Sequence, residues 1–453
     1  MKPLIYPIIE YQSFGVDDIA KKLQSDKDRA RRFFESLGDF AKGKGNGKFL
    51  RFDGVSRLKA QNHVGVIQTR YGTLEILPKC FDQDTQEGLP KYTKEALQKS
   101  YKVENFVTQN FETSQDNNQS AKALLITFLK TLKDLPFKLS QTASLDTSKI
   151  PLLDIFIQNF CREFAILYQK GIRHDYVSIQ ENFTYLKGKL LFKEQMSQNL
   201  IHKERFFIET DAYLADIAQN RIIKSTLLFL KTRATSARTR FEVQKSLELF
   251  ENIPPSQNID KDFEQCKGLR HFSYYEKILA WCKVFLYKKS FTSSSGKEQN
   301  FALLFSMEKL FESYVATMLT KNNPNLFIKL QTQSQFLIKN NNEPLFALKP
   351  DMLVKDKGEI KILDTKWKIL DGSSDERKCG VSQADLYQMW AYACSYQAKE
   401  VWIIYPLCEK TKAIQKQERE WCFEASRYLS FCTQENKDTQ SVQVKILFAP
   451  LGT

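Results

Sequence analysis

Two aspartates near the C-terminal end of the sequence are spaced to face each other across a β-hairpin. The turn is predicted at Lys357-Gly358, and a two-residue turn there places Asp351 directly opposite Asp364. Facing side chains on one side of a hairpin lie roughly 4.5–5.5 Å apart, so the two carboxylates would repel unless a cation or a proton lay between them. The spacing therefore predicts a site for a hard divalent cation with oxygen ligands.

A lysine completes this candidate site. Lys366 lies two residues after Asp364, so its side chain leaves the strand on the same face. Two acids and an ammonium around Mg²⁺ are suited to phosphodiester hydrolysis, because the metal stabilises developing charge and activates water. A one-residue slip of register would put the aspartates on opposite faces. The alternative is that Asp351 is a turn residue and that Asp364 and Lys366 form a surface pair.

Two predicted helices flank the hairpin and carry polar side chains toward it. In the helix predicted at Phe301–Lys321, Glu308 and Glu312 share a face, and either could add a carboxylate to the metal. In the helix predicted at about Gln383–Tyr396, Gln388 could orient the water or a phosphate. The alternative for each of these residues is an ordinary solvated side chain.

The composition indicates a large protein with reduced cysteines and favours a polyanionic partner. The chain has 453 residues and 67 Lys+Arg against 53 Asp+Glu, a net charge of +14, which favours DNA or RNA as partner. A general bias of the sequence toward lysine would be the simpler explanation of this charge.

Nine cysteines without a CxxC pair and only four histidines argue against a zinc site. No apolar stretch reaches membrane-spanning length, so we expect a cytoplasmic protein with no membrane contact.

The chain divides by pattern into three predicted domains, giving a multidomain α+β protein. Residues 1–112 are mixed and β-rich, with a hairpin at Tyr71-Gly72, and residues 113–300 are mainly helical. Residues 301–453 read as an α/β domain with strands at Leu345–Asp356 and Glu359–Leu370, then a helix and a buried parallel strand.

Several motifs of this chain resemble a known family. Pro350-Asp351 followed by Asp364-Thr365-Lys366 matches the PD-(D/E)xK nuclease motif, which implies a restriction-endonuclease-like fold for the last domain. Longer segments of the sequence are similar to the McrC subunit of the McrBC modification-dependent restriction systems. The similar segments are LFESYV, LKPDMLV, ILDTKWK and DLYQMWAYA, with GVIQTRYGTLEILPK, LKGKLLF and QNRIIK upstream.

The resemblance implies a Mg²⁺-dependent DNA endonuclease subunit. In McrC-like systems the partner is a McrB-like hexameric AAA+ GTPase that recognises DNA, usually at 5-methylcytosine, and the N-terminal part of McrC engages that ring and stimulates its hydrolysis. Carried over by position, Asp351, Asp364 and Glu312 are metal ligands, Lys366 is the catalytic lysine and Gln388 is the trailing polar residue of the catalytic set. The related LlaJI-type systems use a similar subunit with sequence-specific recognition.

Two other function classes stay open at this point. One is a non-catalytic adaptor of an AAA+ NTPase with a decayed nuclease fold, and the other is a stand-alone PD-(D/E)xK repair nuclease. The Gly43–Lys48 segment lacks the spacing and the Ser/Thr of a P-loop. Any motor must therefore be another chain.

Overall fold

The chain forms two compact units. The computed structural model describes residues 4–79, 121–132, 150–266, 273–287, 300–340, 343–356, 358–370, 380–408, 411, 421–423 and 442–451. The first unit comprises Met1–Lys133, Ala143–Ser148 and Ser290–Thr453, and the second comprises Asp134–Thr142 and Lys149–Lys289. The first unit therefore contains elements from residues 1–112 and from residues 301–453, and the division into three domains stays a prediction.

Small strands and three helices form the N-terminal part of the first unit. The strands are β1 (Leu4–Ile9), β2 (Ser13–Phe14), β3 (Leu50–Phe52), β4 (Leu58–Ala60), β5 (His63–Gln68) and β6 (Gly72–Leu77). The helices are α1 (Val16–Leu23), α2 (Lys27–Lys42) and α3 (Ala121–Thr131). Strands β5 and β6 form the antiparallel hairpin predicted at Tyr71-Gly72, and β1 adds to β6 in parallel.

The second unit is mainly helical, as the periodicity of its sequence predicts, but it also contains a sheet. Its helices are α4 (Leu152–Gln169), α5 (Phe192–Gln198), α6 (Ala218–Arg233), α7 (Ala237–Glu248), α8 (Ile259–Gln265) and α9 (Ser273–Tyr287). The strands β7 (Asp175–Phe183), β8 (Lys189–Leu190) and β9 (Phe206–Leu214) form a three-stranded antiparallel sheet. Many exposed side chains of this region are apolar.

The predicted helix Phe301–Lys321 is wrong over its first six residues. They form strand β10 (Phe301–Ser306), and helix α10 (Met307–Asn322) follows directly. Strand β10 pairs antiparallel with β5, completing a sheet of order β1-β6-β5-β10. A short apolar run fits a helix or a buried strand equally well, and here an available sheet edge decides. Gly65, with φ of 134°, permits the approach, since a Cβ there would lie 2.1 Å from the Leu303 carbonyl oxygen.

The C-terminal part of the first unit is the predicted α/β structure. Its further elements are β11 (Phe327–Leu330), β12 (Gln335–Asn340), β13 (Glu343–Leu348), β14 (Met352–Asp356), β15 (Glu359–Thr365), α11 (Gln383–Tyr396), β16 (Glu400–Leu407), β17 (Trp421–Phe423) and β18 (Val442–Pro450). Six strands form one sheet in the order β11-β14-β15-β16-β18-β17. Strands β14 and β15 are the antiparallel hairpin, and β15 continues through α11 to the parallel strand β16, which is the predicted crossover.

The single strand predicted at Leu345–Asp356 is divided in two. Strand β13 pairs with β12 in a separate two-stranded sheet, whereas β14 belongs to the six-stranded one. Pro350 lies between them, and proline has no N–H for the sheet ladder. The break places Asp351 at the start of the hairpin strand, beside the main sheet and one residue before its first ladder pair.

Candidate functional site

The predicted register of the β14–β15 hairpin is confirmed. The ladder runs from Met352 opposite Leu363 to Asp356 opposite Glu359. One further step along the same register places Asp351 opposite Asp364. Leu353 and Ile362, on the same face as the two aspartates, are buried in the core, as the sequence pattern predicts.

The carboxyl group of Asp364 lies in a strongly desolvated place. Only 2% of the residue is exposed. Burial, and then the charge of Asp351, raise the pKa of Asp364 to about 7. Its buried Oδ2 atom is in an ion pair with the Nζ atom of Lys366, 2.5 Å away. A buried carboxylate next to a second acid, with one lysine as counter-charge, suits a cation.

Asp351 is held by the residue between Asp364 and Lys366. Its Oδ2 atom accepts hydrogen bonds from the backbone N–H of Thr365 at 2.7 Å and from the Thr365 hydroxyl at 2.6 Å. Burial raises the pKa of Asp351, while the Thr365 bonds and the charge of Lys366 act in the opposite direction. No role for Thr365 was predicted from the sequence, because the register places Thr365 opposite Pro350 rather than Asp351.

Lys366 connects the hairpin to helix α11. Its ammonium donates a hydrogen bond to Gln388 Oε1 at 2.8 Å, in addition to its ion pair with Asp364. Burial acts to lower the pKa of Lys366, but Asp364 and the neighbouring acids outweigh it and raise that pKa. The side chain is therefore a firmly protonated cation beside the carboxylates.

The orientation of Gln388 is fixed by Tyr392, one turn later on α11. The Tyr392 hydroxyl donates to the Lys349 carbonyl at 3.0 Å and accepts from Gln388 Nε2 at 2.8 Å. A hydroxyl has one hydrogen, so it must accept from the amide nitrogen, which turns the amide oxygen toward Lys366. No role for Tyr392 was predicted from the sequence.

The two glutamates of helix α10 are less tightly engaged. Glu312 Oε1 accepts a hydrogen bond from Gln331 Nε2 at 2.8 Å, and burial, followed by the charge of Asp351, raises the pKa of Glu312. Glu308 is exposed, but its charge also acts on Asp351. Both carboxylates are thus electrostatically close to Asp351, and the assignment of Glu312 as the helix ligand stays a prediction.

The donor set fits a magnesium ion that keeps most of its shell for water and substrate. Within the described ranges, no three Asp, Glu, His or Cys side chains already form a closed metal cluster. Mg²⁺ is commonly bound by one or two carboxylates together with waters and phosphate oxygens. The carboxylates of Asp351 and Asp364 meet that requirement.

Comparison with known families decides the identity of the chain. The family described as "McrBC 5-methylcytosine restriction system component" matches residues 58–406. This chain belongs to that family. The resemblance to its McrC-like subunits, argued above from short motifs, is confirmed. No curated protein matches significantly.

One solved structure of a McrBC assembly contains a chain that shares this fold. The chain resembles one from a refined half-complex of a tetradecameric assembly of Thermococcus gammatolerans McrB AAA+ hexamers with bound McrC. The TM-score is 0.62 and the identity 19%, over 98% of this chain and 95% of that one. A chain of the cryo-EM structure of the Thermococcus gammatolerans McrBC complex matches at a TM-score of 0.46 and 20% identity, over 70% of this chain and 87% of that one. Among the described residues of the McrBC-family chain, no helix is both long and apolar enough to cross a membrane.

Proposed function

We propose that this chain is the Mg²⁺-dependent endonuclease subunit of a McrBC-type restriction system and hydrolyses DNA phosphodiesters. The observation that carries the proposal is the close pair of carboxylates at the end of the β14–β15 hairpin, the buried Asp364 and the half-buried Asp351, beside the ammonium of Lys366. The charge of Asp351 adds to burial in raising the pKa of Asp364, a cost in stability that a bound cation would offset. A decayed nuclease fold would have no reason to retain them together with Lys366.

Each residue of the site has a distinct role in this proposal. Asp351 and Asp364 would hold Mg²⁺, with Glu312 as the expected third carboxylate, and the bound ion would supply Lewis-acid stabilisation and lower the pKa of a water. Lys366 donates hydrogen bonds to the attacking water or to the scissile phosphate oxygen. Gln388 keeps the lysine directed at that place, and Thr365 keeps Asp351 in its rotamer.

The partner proposed for the chain is a McrB-like AAA+ GTPase hexamer, whose hydrolysis the chain stimulates. This follows the solved relative, which is bound to McrB AAA+ hexamers. We expect recognition of 5-methylcytosine to lie in that partner, with sequence-specific recognition of the LlaJI type as the alternative. The absence of a P-loop in the sequence agrees with this division of labour.

An exposed apolar surface on the second unit favours that region for partner contact. Its members lie on α5, on the sheet of β7, β8 and β9 and in the segments between them: Tyr176, Tyr185, Leu186, Phe192, Met196, Leu200, Ile201 and Tyr213, each more than half exposed. Isolated apolar side chains on a surface are ordinary, but so many in one small region are typical of an interaction site. Engagement by residues 1–112, which the resemblance implies, is the competing location.

The test is cleavage by the reconstituted system. Methylated plasmid DNA is incubated with the chain, its McrB-like partner, GTP and Mg²⁺, and Asp364→Asn is compared with the unaltered chain. We expect cutting to be lost in the variant while GTPase stimulation is retained. If Asp364→Asn cuts as well as the unaltered chain, the site assignment is wrong. Cutting without partner would favour a stand-alone nuclease, and stimulation without any cutting by the unaltered chain would favour an adaptor.

A further inference from the structure

Trp367, the residue after the proposed catalytic lysine, is held at two points by the N-terminal part of the first unit. Its indole N–H donates to Glu10 Oε1 at 2.6 Å, and its carbonyl oxygen accepts from Lys79 Nζ at 2.9 Å. The backbone N–H of Lys79 also donates to Glu10 Oε1, at 3.1 Å. Glu10 follows β1 and Lys79 lies two residues after β6, and these strands end side by side with Ile9 opposite Leu77. Glu10 and Lys79 thus form one clamp on Trp367.

The indole ring is enclosed on its other sides by aromatic rings. Phe311 of α10 lies 5.2 Å and Phe128 of α3 lies 5.8 Å from it, centroid to centroid. The Lys79 ammonium lies 5.9 Å from the ring centre, within the range of a cation–π contact. Trp367 is 4% exposed, so its place is determined by polar contacts and by packing together.

Holding Trp367 also determines where Lys366 can point. The backbone N–H of Lys366 donates to the Ile404 carbonyl at 2.8 Å, and that of Lys368 donates to the Lys366 carbonyl at 2.8 Å. The second bond closes a tight turn centred on Trp367. Anchoring Trp367 among α3, α10 and the clamp therefore fixes this turn, and with it the backbone from which the Lys366 side chain reaches Asp364 and Gln388.

The clamp is costly to maintain, which argues that it has a use. Glu10 is 2% exposed, and its Oε2 atom is buried without a hydrogen bond. Burial raises the pKa of Glu10 against the opposing charge of Lys79. An apolar pair of similar volume would fill the same space at lower cost in free energy.

We propose that Glu10 and Lys79 are positioning residues for Lys366, which make the N-terminal sheet a working part of the cleavage site. They act through Trp367 and touch neither substrate nor metal. The inference rests on the proposed endonuclease function. It predicts that loosening the clamp lowers the rate of cutting without weakening DNA binding, because a displacement of about 1 Å in a catalytic group can cost roughly a hundredfold in rate.

The experiment uses the full chain and two variants of the clamp. Lys79→Met removes the ammonium and keeps the length of the side chain, and Trp367→Phe removes the indole N–H and keeps an aromatic ring. Lys122→Met is the matched control, because Lys122 pairs with another buried glutamate of the same sheet, Glu75, at 2.8 Å. Hydrogen–deuterium exchange of the metal-free protein is measured at the amides of residues 366–368 and of β15, alongside cleavage rate and DNA affinity with the partner present.

In both clamp variants we expect the 366–368 amides to exchange about tenfold faster, consistent with the loss of one hydrogen bond, while β15 is unchanged. Cutting should fall at least roughly tenfold with unaltered DNA affinity, and Lys122→Met should leave the 366–368 amides as they are. Unchanged exchange at 366–368, or an equal increase along β15 or in the Lys122 control, overturns the positioning role. Asp364→Asn separates the two ideas: if that variant still cuts, the proposed function fails, whereas an inactive Asp364→Asn with unresponsive 366–368 amides refutes the clamp alone.

Discussion

The Nζ atom of Lys366 lies 2.5 Å from Oδ2 of Asp364. Without metal, the lysine is thus the counter-charge of the aspartate. If Asp364 bound a divalent cation, as proposed, the ammonium would be released to interact with a phosphate oxygen. The proposed site would then be charge-balanced both without and with the metal.

Asp364→Asn should stabilise the metal-free protein at alkaline pH. The folded-state pKa of Asp364 is raised to about 7, against about 3.9 in an unfolded chain. The folded state therefore loses stability as pH rises from about 4 through 7, because deprotonation is harder there than in the unfolded state. The asparagine variant lacks this loss and should be more stable at pH 8 by up to about 4 kcal/mol, with little difference at pH 4.

Thermal unfolding in EDTA from pH 4 to pH 9 measures this effect. Asp356→Asn, at the other end of the same hairpin, is the control. Added Mg²⁺ should stabilise the unaltered chain at pH 8 more than at pH 6, and should not stabilise Asp364→Asn. Equal pH slopes for Asp364→Asn and the unaltered chain would contradict the raised pKa.

Tyr392→Phe should reduce cleavage more than Tyr396→Phe. Both hydroxyls donate to neighbouring backbone carbonyls, Tyr392 to Lys349 and Tyr396 to Leu348, so the two variants lose comparable bonds. Only the Tyr392 variant also releases the amide of Gln388. We expect about tenfold slower cutting for Tyr392→Phe and little change for Tyr396→Phe.

A double-mutant cycle with Gln388→Ala tests the route of this effect. In that background Tyr392→Phe should add almost nothing, since the amide that it orients is gone. Additive effects of the two substitutions would show that Tyr392 acts on the site by some other path.

Thr365→Val should weaken the site at neutral pH, whereas Thr365→Ser should preserve it. The hydroxyl bond to Asp351 favours the charged carboxylate and so lowers the pKa of Asp351. Valine retains the shape without that bond, the pKa rises, and more metal or a higher pH is needed for the same rate. We expect a roughly threefold to tenfold loss at pH 7 that diminishes toward pH 9. A pH–rate profile identical to that of the unaltered chain would rule out this role.

Phe192→Ser combined with Ile201→Ser should impair binding of the AAA+ partner. These side chains are 75% and 87% exposed, so the substitutions should cost little folding stability. Phe241→Ser is the matched control, because Phe241 is also in the second unit and 70% exposed, but lies on α7. Co-purification with the McrB-like partner and stimulation of its GTPase should fall only for the double variant. An equal loss with the control would indicate a general surface effect.

Local rules of sequence were enough to predict the hairpin and the helix behind it. The turn, the alternation and the facing of Asp351 and Asp364 follow from short-range geometry, and α11 begins where Ser382 accepts a hydrogen bond from the Asp385 backbone N–H. The contacts of Lys366 with Asp364 and Gln388 then follow from side-chain direction along one strand and one helix face.

Long-range pairing was beyond those rules. Glu10 and Trp367 are 357 residues apart, and no local pattern in the sequence indicates that they are in contact. The strand at Phe301–Ser306 was predicted as helix because its pairing partner, β5, lies far back in the chain. The same pairing places strands from residues 1–112 and strand β10 in one sheet, and no local pattern in the sequence indicates that sheet.

The absence of a side chain at Gly65 limits how the C-terminal part of the first unit can be truncated or altered. A protein cut just before residue 301 would retain β10 but lose the strand on which it docks, exposing an apolar edge with unpaired N–H and C=O groups. Such a fragment should aggregate. Conversely, a Gly65→Val substitution would place side-chain atoms against the Leu303 backbone and separate β10 from β5 within an intact chain. We expect this single substitution, some 240 positions before β10 in the sequence, to disable cutting.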